Sequence, residues 1–158
     1  MARMLPPLAA PLRITSPYGP RTHPVTGEIG KHHNGVDLAA SQGSHVFAVS
    51  GGYIHGIDTV GDGPGGYWVR ICHGAAPGEN EILWSTYCHL SSIFQLGSGH
   101  IGEGLIIGLS GGTPGTRGAG RSTGAHLHFS LWCGNGARVD FDPAPWLAPW
   151  IASEPSRE

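Results

Sequence analysis

Two short segments of the sequence hold side chains that suit a metal ion. His33 and Asp37 lie in the segment HNGVD, and His126 and His128 lie in the segment HLH. Imidazole nitrogens and carboxylate oxygens are ligands that zinc prefers, and a zinc site with three protein ligands keeps a position at which water is activated. The first hypothesis is therefore a metal-dependent hydrolase.

Extended backbone would place each pair of candidate ligands on one face. Side chains alternate between the two faces of a strand, so residues two apart lie about 7 Å apart on the same face. The run HLHFSLWC alternates in this way and predicts a strand with His126 and His128 side by side. If the HNGVD segment is also extended, His33, Gly35 and Asp37 share a face, and Gly35 leaves room for a metal. An isolated HxH pair is also typical of two surface histidines, but the separate HxxxD pattern favours a metal site.

Length and composition restrict the class of protein. The 158 residues are enough for one domain with its own core, and the formal net charge of −2 argues against a nucleic-acid partner. No run of about 20 apolar residues is present, so membrane insertion is not expected. The N-terminal stretch, interrupted by three prolines, does not have the pattern of a secretion signal.

Glycine-rich turns separate many short apolar runs, and no long segment shows a helical period. The sequence therefore predicts an all-β fold of antiparallel strands, with a short helix at Leu90–Gln95 as an additional possibility. We expect an N-terminal extension at 1–11, one catalytic domain at 12–148 and a C-terminal tail at 149–158. The Pro- and Trp-rich segment 142–158 is expected to clasp the sheet and then to fray at its end. The predicted strands are Leu12–Ser16, Val36–Ala39, His45–Ala48, Gly51–Asp58, Tyr67–His73, Ile82–His89, Gly104–Leu109 and Ala125–Cys133.

The three cysteines form no CxxC pair, which makes a structural zinc finger improbable. Cys133 falls on the predicted core face of its strand. Cys72 and Cys88 lie on consecutive predicted strands and could face each other across a hairpin. Free buried thiols are nevertheless favoured over a disulfide, because the chain is not rich in cysteine.

Three motifs together resemble a known family. They are RTHPVTGEIGKHHNGVDLAASQGSHVFAVSGG, STYCHLS and GAGRSTGAHLHFSLW, in this order, and the similarity extends from about Ile14 to Trp132. They resemble the lysostaphin-type (LytM-like) zinc endopeptidases of bacteria and phages, which hydrolyse peptide bonds in the cross-bridges or stem peptides of peptidoglycan. The resemblance implies a small antiparallel β-sheet enzyme with a groove walled by loops, one of them between Gly112 and Gly124.

The same resemblance implies roles for individual residues. His33, Asp37 and His128 match the ligands of one Zn²⁺ ion, while His126 and His89 match the two catalytic histidines. The residues themselves favour histidine chemistry, because no HExxH motif is present and no glutamate lies beside the motifs. Histidine, with a pKa near 6.5, is then the natural acid or base.

Other residues near the motifs have weaker signals. Arg21 and Tyr18 are candidates for substrate binding. His32 adjoins a predicted ligand, but its side chain would point the opposite way in an extended segment. His23 is expected in a loop. The 113–121 loop departs from the family pattern by its two arginines, which bear on substrate preference.

Two alternatives to the hydrolase are a metal-binding cupin and a non-catalytic binding module. A metal-binding cupin would need a carboxylate soon after HLH and a later histidine, and neither follows His128. A non-catalytic zinc- or peptidoglycan-binding regulatory module of the same fold would be expected to lack ligands, whereas all expected ligands are present here. We therefore expect a monomeric enzyme that acts on the bacterial cell wall, either an antimicrobial phage lysin or the catalytic domain of a secreted protein.

Overall fold

The computed structural model describes residues 3–22, 26–75, 80–94 and 99–153. Within these ranges all strand pairs are antiparallel, and the predicted all-β class is confirmed. No helix there is long and apolar enough to cross a membrane. The elements are β1 (Ile14–Ser16), β2 (Val36–Ala39), β3 (His45–Phe47), β4 (Gly52–Asp58), β5 (Tyr67–Ala75), β6 (Ile82–Ile93), β7 (His100–Ile101), β8 (Ile106–Ser110), β9 (His126–Cys133), β10 (Val139–Phe141), α1 (Ala144–Leu147) and a 3₁₀ helix (Ala148–Trp150).

The strands form a single sheet in the order β1-β2-β9-β6-β5-β4-β7. β8 pairs with both β6 and β3, and β10 pairs with β9. The central strand β9 shows the predicted alternation, because Leu127, Phe129 and Leu131 are fully buried in the core. On its other face the first half of β9 is partly open, whereas Trp132 is buried because it stacks on Trp84 of β6 with ring centroids 4.8 Å apart.

The structure corrects several local expectations. The proposed helix at Leu90–Gln95 is wrong over the described residues, because β6 continues as a strand to Ile93; Gln95 lies outside them. The strand predicted from Leu12 begins only at Ile14. Leu12 instead pairs with Ile151 in an isolated bridge, so the C-terminal segment lies against the N-terminal one.

The cysteines also differ from expectation. Cys72 lies opposite Trp84 and Cys88 lies opposite Trp68 in the β5–β6 pairing, so the two thiols do not face each other. The alternation predicts a core position for Cys133, and this prediction is wrong. Cys133 ends β9 in a partly buried position outside the core. Across the described ranges no disulfide is formed, in agreement with the favoured reduced state.

Candidate active site

The pairing of β2 with β9 brings the two sequence segments together. Asp37 and His128 are direct partners in this pairing, and their side chains meet with Oδ1 and Nδ1 2.9 Å apart. His33 precedes β2 and is held by a backbone bridge to Gly19. His33 Nε2 lies 3.1 Å from His128 Nδ1 and 3.3 Å from Asp37 Oδ1. These three residues form a His–Asp–His group that can hold a metal ion.

Both histidines of this group are anchored through their other ring nitrogen. His33 Nδ1 donates to the carbonyl oxygen of Pro17 over 2.8 Å, and His128 Nε2 donates to Asn34 Oδ1 over 3.1 Å. His33 Nε2 and His128 Nδ1 face the carboxylate, to which they donate when they carry a proton and beside which they present lone pairs to a metal ion when they do not. Ligands of a tetrahedral zinc ion at 2.0–2.1 Å are about 3.3 Å apart. The separations of 2.9, 3.1 and 3.3 Å are close to this value.

The carboxylate of Asp37 is held in its charged form. Burial raises the pKa of this carboxyl, but hydrogen bonds from His128 and His33 outweigh burial and bring the pKa well below its usual range. The second oxygen, Oδ2, accepts from Arg21 Nη2 at 3.2 Å, and the same guanidinium nitrogen lies 3.2 Å from Ser16 Oγ. Arg21, which the sequence suggested for substrate binding, thus contacts the carboxylate of Asp37.

His126 lies next to the metal-binding group on the same face of β9. Its Nδ1 donates to the carbonyl oxygen of Gly124 over 2.7 Å and lies 3.1 Å from Ser122 Oγ. Its Nε2 is directed to the cluster and lies 3.6 Å from Asp37 Oδ1. The ring is therefore oriented by the preceding loop, and one nitrogen remains available for proton transfer.

His89 reaches the site because of a bulge in β6. Cys88 pairs with Trp68 and Leu90 pairs with Tyr67, so His89 is the extra residue, and its φ of 61° is in the left-handed region that non-glycine residues rarely adopt. Regular alternation would place its side chain on the core face with Tyr87. The bulge instead places its ring 4.8 Å from that of His126, centroid to centroid.

The protonation state of His89 follows from its surroundings. Nδ1 donates to the carbonyl oxygen of Ala119 over 2.8 Å, which leaves Nε2 as the free nitrogen. Burial lowers the pKa of His89 to about 4. The imidazole is therefore neutral at physiological pH.

The remaining predicted site residues lie at the edge of the cluster or outside it. Tyr18 donates its hydroxyl to the carbonyl oxygen of Asp140 over 3.2 Å, and its ring contacts the exposed His32 edge-on. His32 is not part of the metal-binding group found among the described residues. His23 lies outside those residues. A cleft of about 580 Å³ opens beside the cluster and is lined by Arg21, Thr22, Gly30, Lys31, His32, His33 and Asn34.

Sequence reasoning missed two supporting residues and misjudged one. Asn34 and Ser122 each contact a histidine of the site, and their only signal was their position inside a motif. Gly35 was expected to leave room for a metal. A Cβ atom there would instead collide with the carbonyl oxygen of Phe129 and lie 3.0 Å from His128 Nε2, so glycine is required by the neighbouring strand.

Comparison with known proteins adds independent information. The model described as peptidase family M23 matches residues 31–141. The DD-carboxypeptidase/endopeptidase Mpg of Neisseria meningitidis is 38% identical over 131 residues, which are 83% of this chain and 25% of that protein. The chain thus spans about a quarter of the length of the curated relatives that it matches.

Two solved structures share both fold and sequence with the chain. A zinc-containing peptidase from Vibrio cholerae matches with a TM-score of 0.63 and 31% identity, over 81% of this chain and 35% of that one. The catalytic domain of the antimicrobial peptidase lysostaphin from Staphylococcus simulans matches with a TM-score of 0.64 and 30% identity, over 86% and 92%. Together with a family match over most of its length, these similarities show that the chain belongs to peptidase family M23.

Proposed function

We propose that the protein is a zinc-dependent endopeptidase that hydrolyses peptide bonds in bacterial peptidoglycan. The observation that carries the proposal is the convergence of His33, Asp37 and His128, with two anchored histidines beside them. Relatives with the names DD-carboxypeptidase/endopeptidase and peptidoglycan DD-endopeptidase support the reaction and the substrate. The similarity to the antimicrobial peptidase lysostaphin supports an antimicrobial role. Action as a monomer at the cell wall is part of the proposal.

Zinc fits the donors that the chain offers. Two imidazole nitrogens and one carboxylate oxygen make a three-ligand set that is typical of catalytic zinc, and the name of the Vibrio cholerae neighbour includes this metal. When bound, zinc lowers the pKa of water and polarises a carbonyl group. Asp37 and the two ligand histidines would hold the ion, while Asn34 and Pro17 keep the imidazoles in the tautomers that expose the ligating nitrogens.

His126 and His89 supply the proton chemistry in this proposal. Each ring donates through Nδ1 to a backbone carbonyl oxygen, so that Nε2 is the nitrogen that meets the substrate. A neutral imidazole at Nε2 accepts a proton from the attacking water and returns it to the leaving amine. We assign this exchange to His126, which is nearer to Asp37. His89 is neutral with Nε2 unprotonated, so we assign to it acceptance of a hydrogen bond or proton from the attacking water or from a substrate N–H.

A non-catalytic binding module is the alternative. It is less well supported, because such a module has no need of two further histidines beside the metal-binding group. The cupin alternative is not supported, because the fold neighbours are M23 peptidases.

Digestion of purified peptidoglycans tests the proposal. The zinc-loaded protein is incubated with cell walls of several cross-link types, and mass spectrometry identifies the new amino and carboxyl termini. We expect peptide-bond cleavage in at least one type, no glycan cleavage, and no products with chelated protein or with His33→Ala. Absence of cleavage by protein with confirmed bound zinc would support the binding module.

A further inference from the structure

The sheet face that carries the metal-binding group extends across two more strands. His128 of β9 pairs with Cys88 of β6, and Ser130 pairs with Thr86. On its other side, Thr86 pairs with Arg70 of β5. Directly paired residues of antiparallel strands project from the same face, so Arg70 shares the face of His128. Two strand spacings across and two residues along place their Cα atoms about 12 Å apart.

Arg70 lies between two indole rings. Its guanidinium carbon is 5.0 Å from the ring centroid of Trp68 and 5.6 Å from that of Trp132. Contacts of this kind stabilise a cation and restrict the orientation of the guanidinium plane. A guanidinium group that stacks on an aromatic ring keeps its in-plane N–H donors for an acceptor.

One of those donors has no acceptor within the described part of the chain. Arg70 Nε is buried there without a hydrogen-bond partner. Arg138, which also lies over Trp132, differs because its Nε donates to Asp140 Oδ1 over 2.7 Å. A buried N–H group without an acceptor is costly, so a ligand that supplies one is favoured at Arg70.

We propose that Arg70 binds a carboxylate of the peptide substrate. A guanidinium fork pairs with a carboxylate through two parallel hydrogen bonds, which fits the unpaired Nε–H and the positive charge of Arg70. An extended peptide advances about 3.3–3.6 Å per residue, so the carboxylate would lie three to four residues from the bond that is cut. The inference rests on the proposed peptidase function and names the substrate class of that site as acidic peptides.

The test compares one peptide in two charge states. Cross-linked peptides released from purified peptidoglycan are used as isolated, and also after carbodiimide coupling with ammonia has converted their carboxylates to carboxamides. Values of kcat/KM are measured for zinc-loaded wild type, Arg70→Gln and the matched control Arg138→Gln. Dissociation constants of both peptides are measured by calorimetry with chelated protein, where no cleavage interferes.

We expect wild type to prefer the free carboxylates by about 10–100-fold, mainly through KM. Arg70→Gln should remove most of this preference while it retains cleavage of the amidated peptide, and Arg138→Gln should keep the preference. Arg70→Lys keeps the positive charge but not the two parallel donors, so it should retain part of the preference for free carboxylates. It replaces Arg70→Gln in the test if Arg70→Gln does not fold.

The two proposals fail in different ways. Equal handling of both peptides by wild type, or an unchanged preference in Arg70→Gln, would overturn the Arg70 subsite and leave the peptidase function standing. Binding that depends on the carboxylates and on Arg70, without any cleavage by zinc-loaded protein, would overturn the peptidase function and support the subsite.

Discussion

Histidines on the two faces of the sheet are used in different ways. On the core side, His73 has partners at both ring nitrogens, 2.8 Å from the carbonyl oxygen of Gly51 and 2.8 Å from Ser85 Oγ. Ser85 continues this buried network to the hydroxyl of Tyr87, 3.1 Å away. On the site side, His33 and His128 each give one nitrogen to a protein oxygen and direct the other to a shared point. A histidine with one ring nitrogen hydrogen-bonded to a protein oxygen keeps the other nitrogen for chemistry. A histidine with both ring nitrogens bonded in this way has a structural role.

Removal of a metal ligand should have the largest effect. His33→Ala leaves two of three ligating atoms, so we expect loss of bound zinc and a fall in activity to that of chelated protein. This loss should exceed the 10²–10⁴-fold that is typical of a single proton-transfer group. Metal content by mass spectrometry and peptide cleavage are measured together, with His73→Gln as the control that keeps both. Zinc retained at wild-type occupancy by His33→Ala would contradict the ligand assignment.

Replacement of the second pair of histidines separates chemistry from metal binding. His126→Ala and His89→Ala should each lower kcat by about 10²–10⁴-fold, because Nε2 of each ring is assigned to accepting a proton or hydrogen bond during the reaction. Both variants should keep zinc near the wild-type content, since neither ring is in the His–Asp–His group. Near-normal turnover in both variants would contradict acid–base catalysis by these histidines.

Variants of Asn34 test whether the hydrogen bond at His128 Nε2 affects zinc binding. Asn34→Leu removes the acceptor for His128 Nε2, and we expect zinc affinity to fall by about 10–100-fold. Asn34→Asp keeps an oxygen at this position and should bind zinc at least as well as wild type. Competition with a chromogenic chelator gives the affinities, and ¹⁵N NMR of His128 reports which nitrogen carries the proton. The prediction fails if the two variants have equal affinities.

Substitution of His73, which belongs to the hydrogen-bond network on the core side, should change stability and leave activity unchanged. Burial lowers the pKa of His73, whereas an unfolded histidine has a pKa near 6.5. Below about pH 6.5 the unfolded chain binds more protons than the folded one, so the free energy of unfolding falls as pH falls. His73→Gln should remove part of this decrease, at most about 1.4 kcal/mol per pH unit, and leave activity in place.

Urea unfolding of metal-free wild type and His73→Gln at pH 7.5 and pH 5.5 measures this difference. His45→Gln is the matched control, because His45 is exposed on β3. His89 adds to the same decrease in both proteins, because burial also lowers its pKa. An identical pH dependence in wild type and His73→Gln would show that His73 is not buried in its neutral form.

Much of the fold and the site could be predicted because their signals are local. Alternation in HLHFSLWC identified β9, and the same-face spacing of His126 and His128 follows from it. The meeting of the two motifs is non-local, and the resemblance to a known family supplied it. Short elements such as β7 and β10 had no detectable pattern, because two or three residues cannot show a period.

The bulge at His89 could not be predicted from alternation. A regular strand would bury His89 beside Tyr87, and the extra residue becomes apparent only in the pairing with β5. The hydrogen bond of Asn34 to His128 has the same character, because its partners are 94 residues apart in the sequence. Both features depend on the register in which distant strands pair, and composition and periodicity do not determine that register.

The place of β2 in the sheet has a consequence for how the molecule opens. The β1–β2 ribbon lies at one edge and, among the strands that the structure describes, pairs with the rest of the sheet through β9. An ion shared between His33, Asp37 and His128 would act as a removable cross-link between this ribbon and the central strand. It would close a long loop of chain and suppress detachment of the edge, as other loop-closing links do. The supply of metal would then set the susceptibility of the N-terminal ribbon to proteolysis, independently of catalysis.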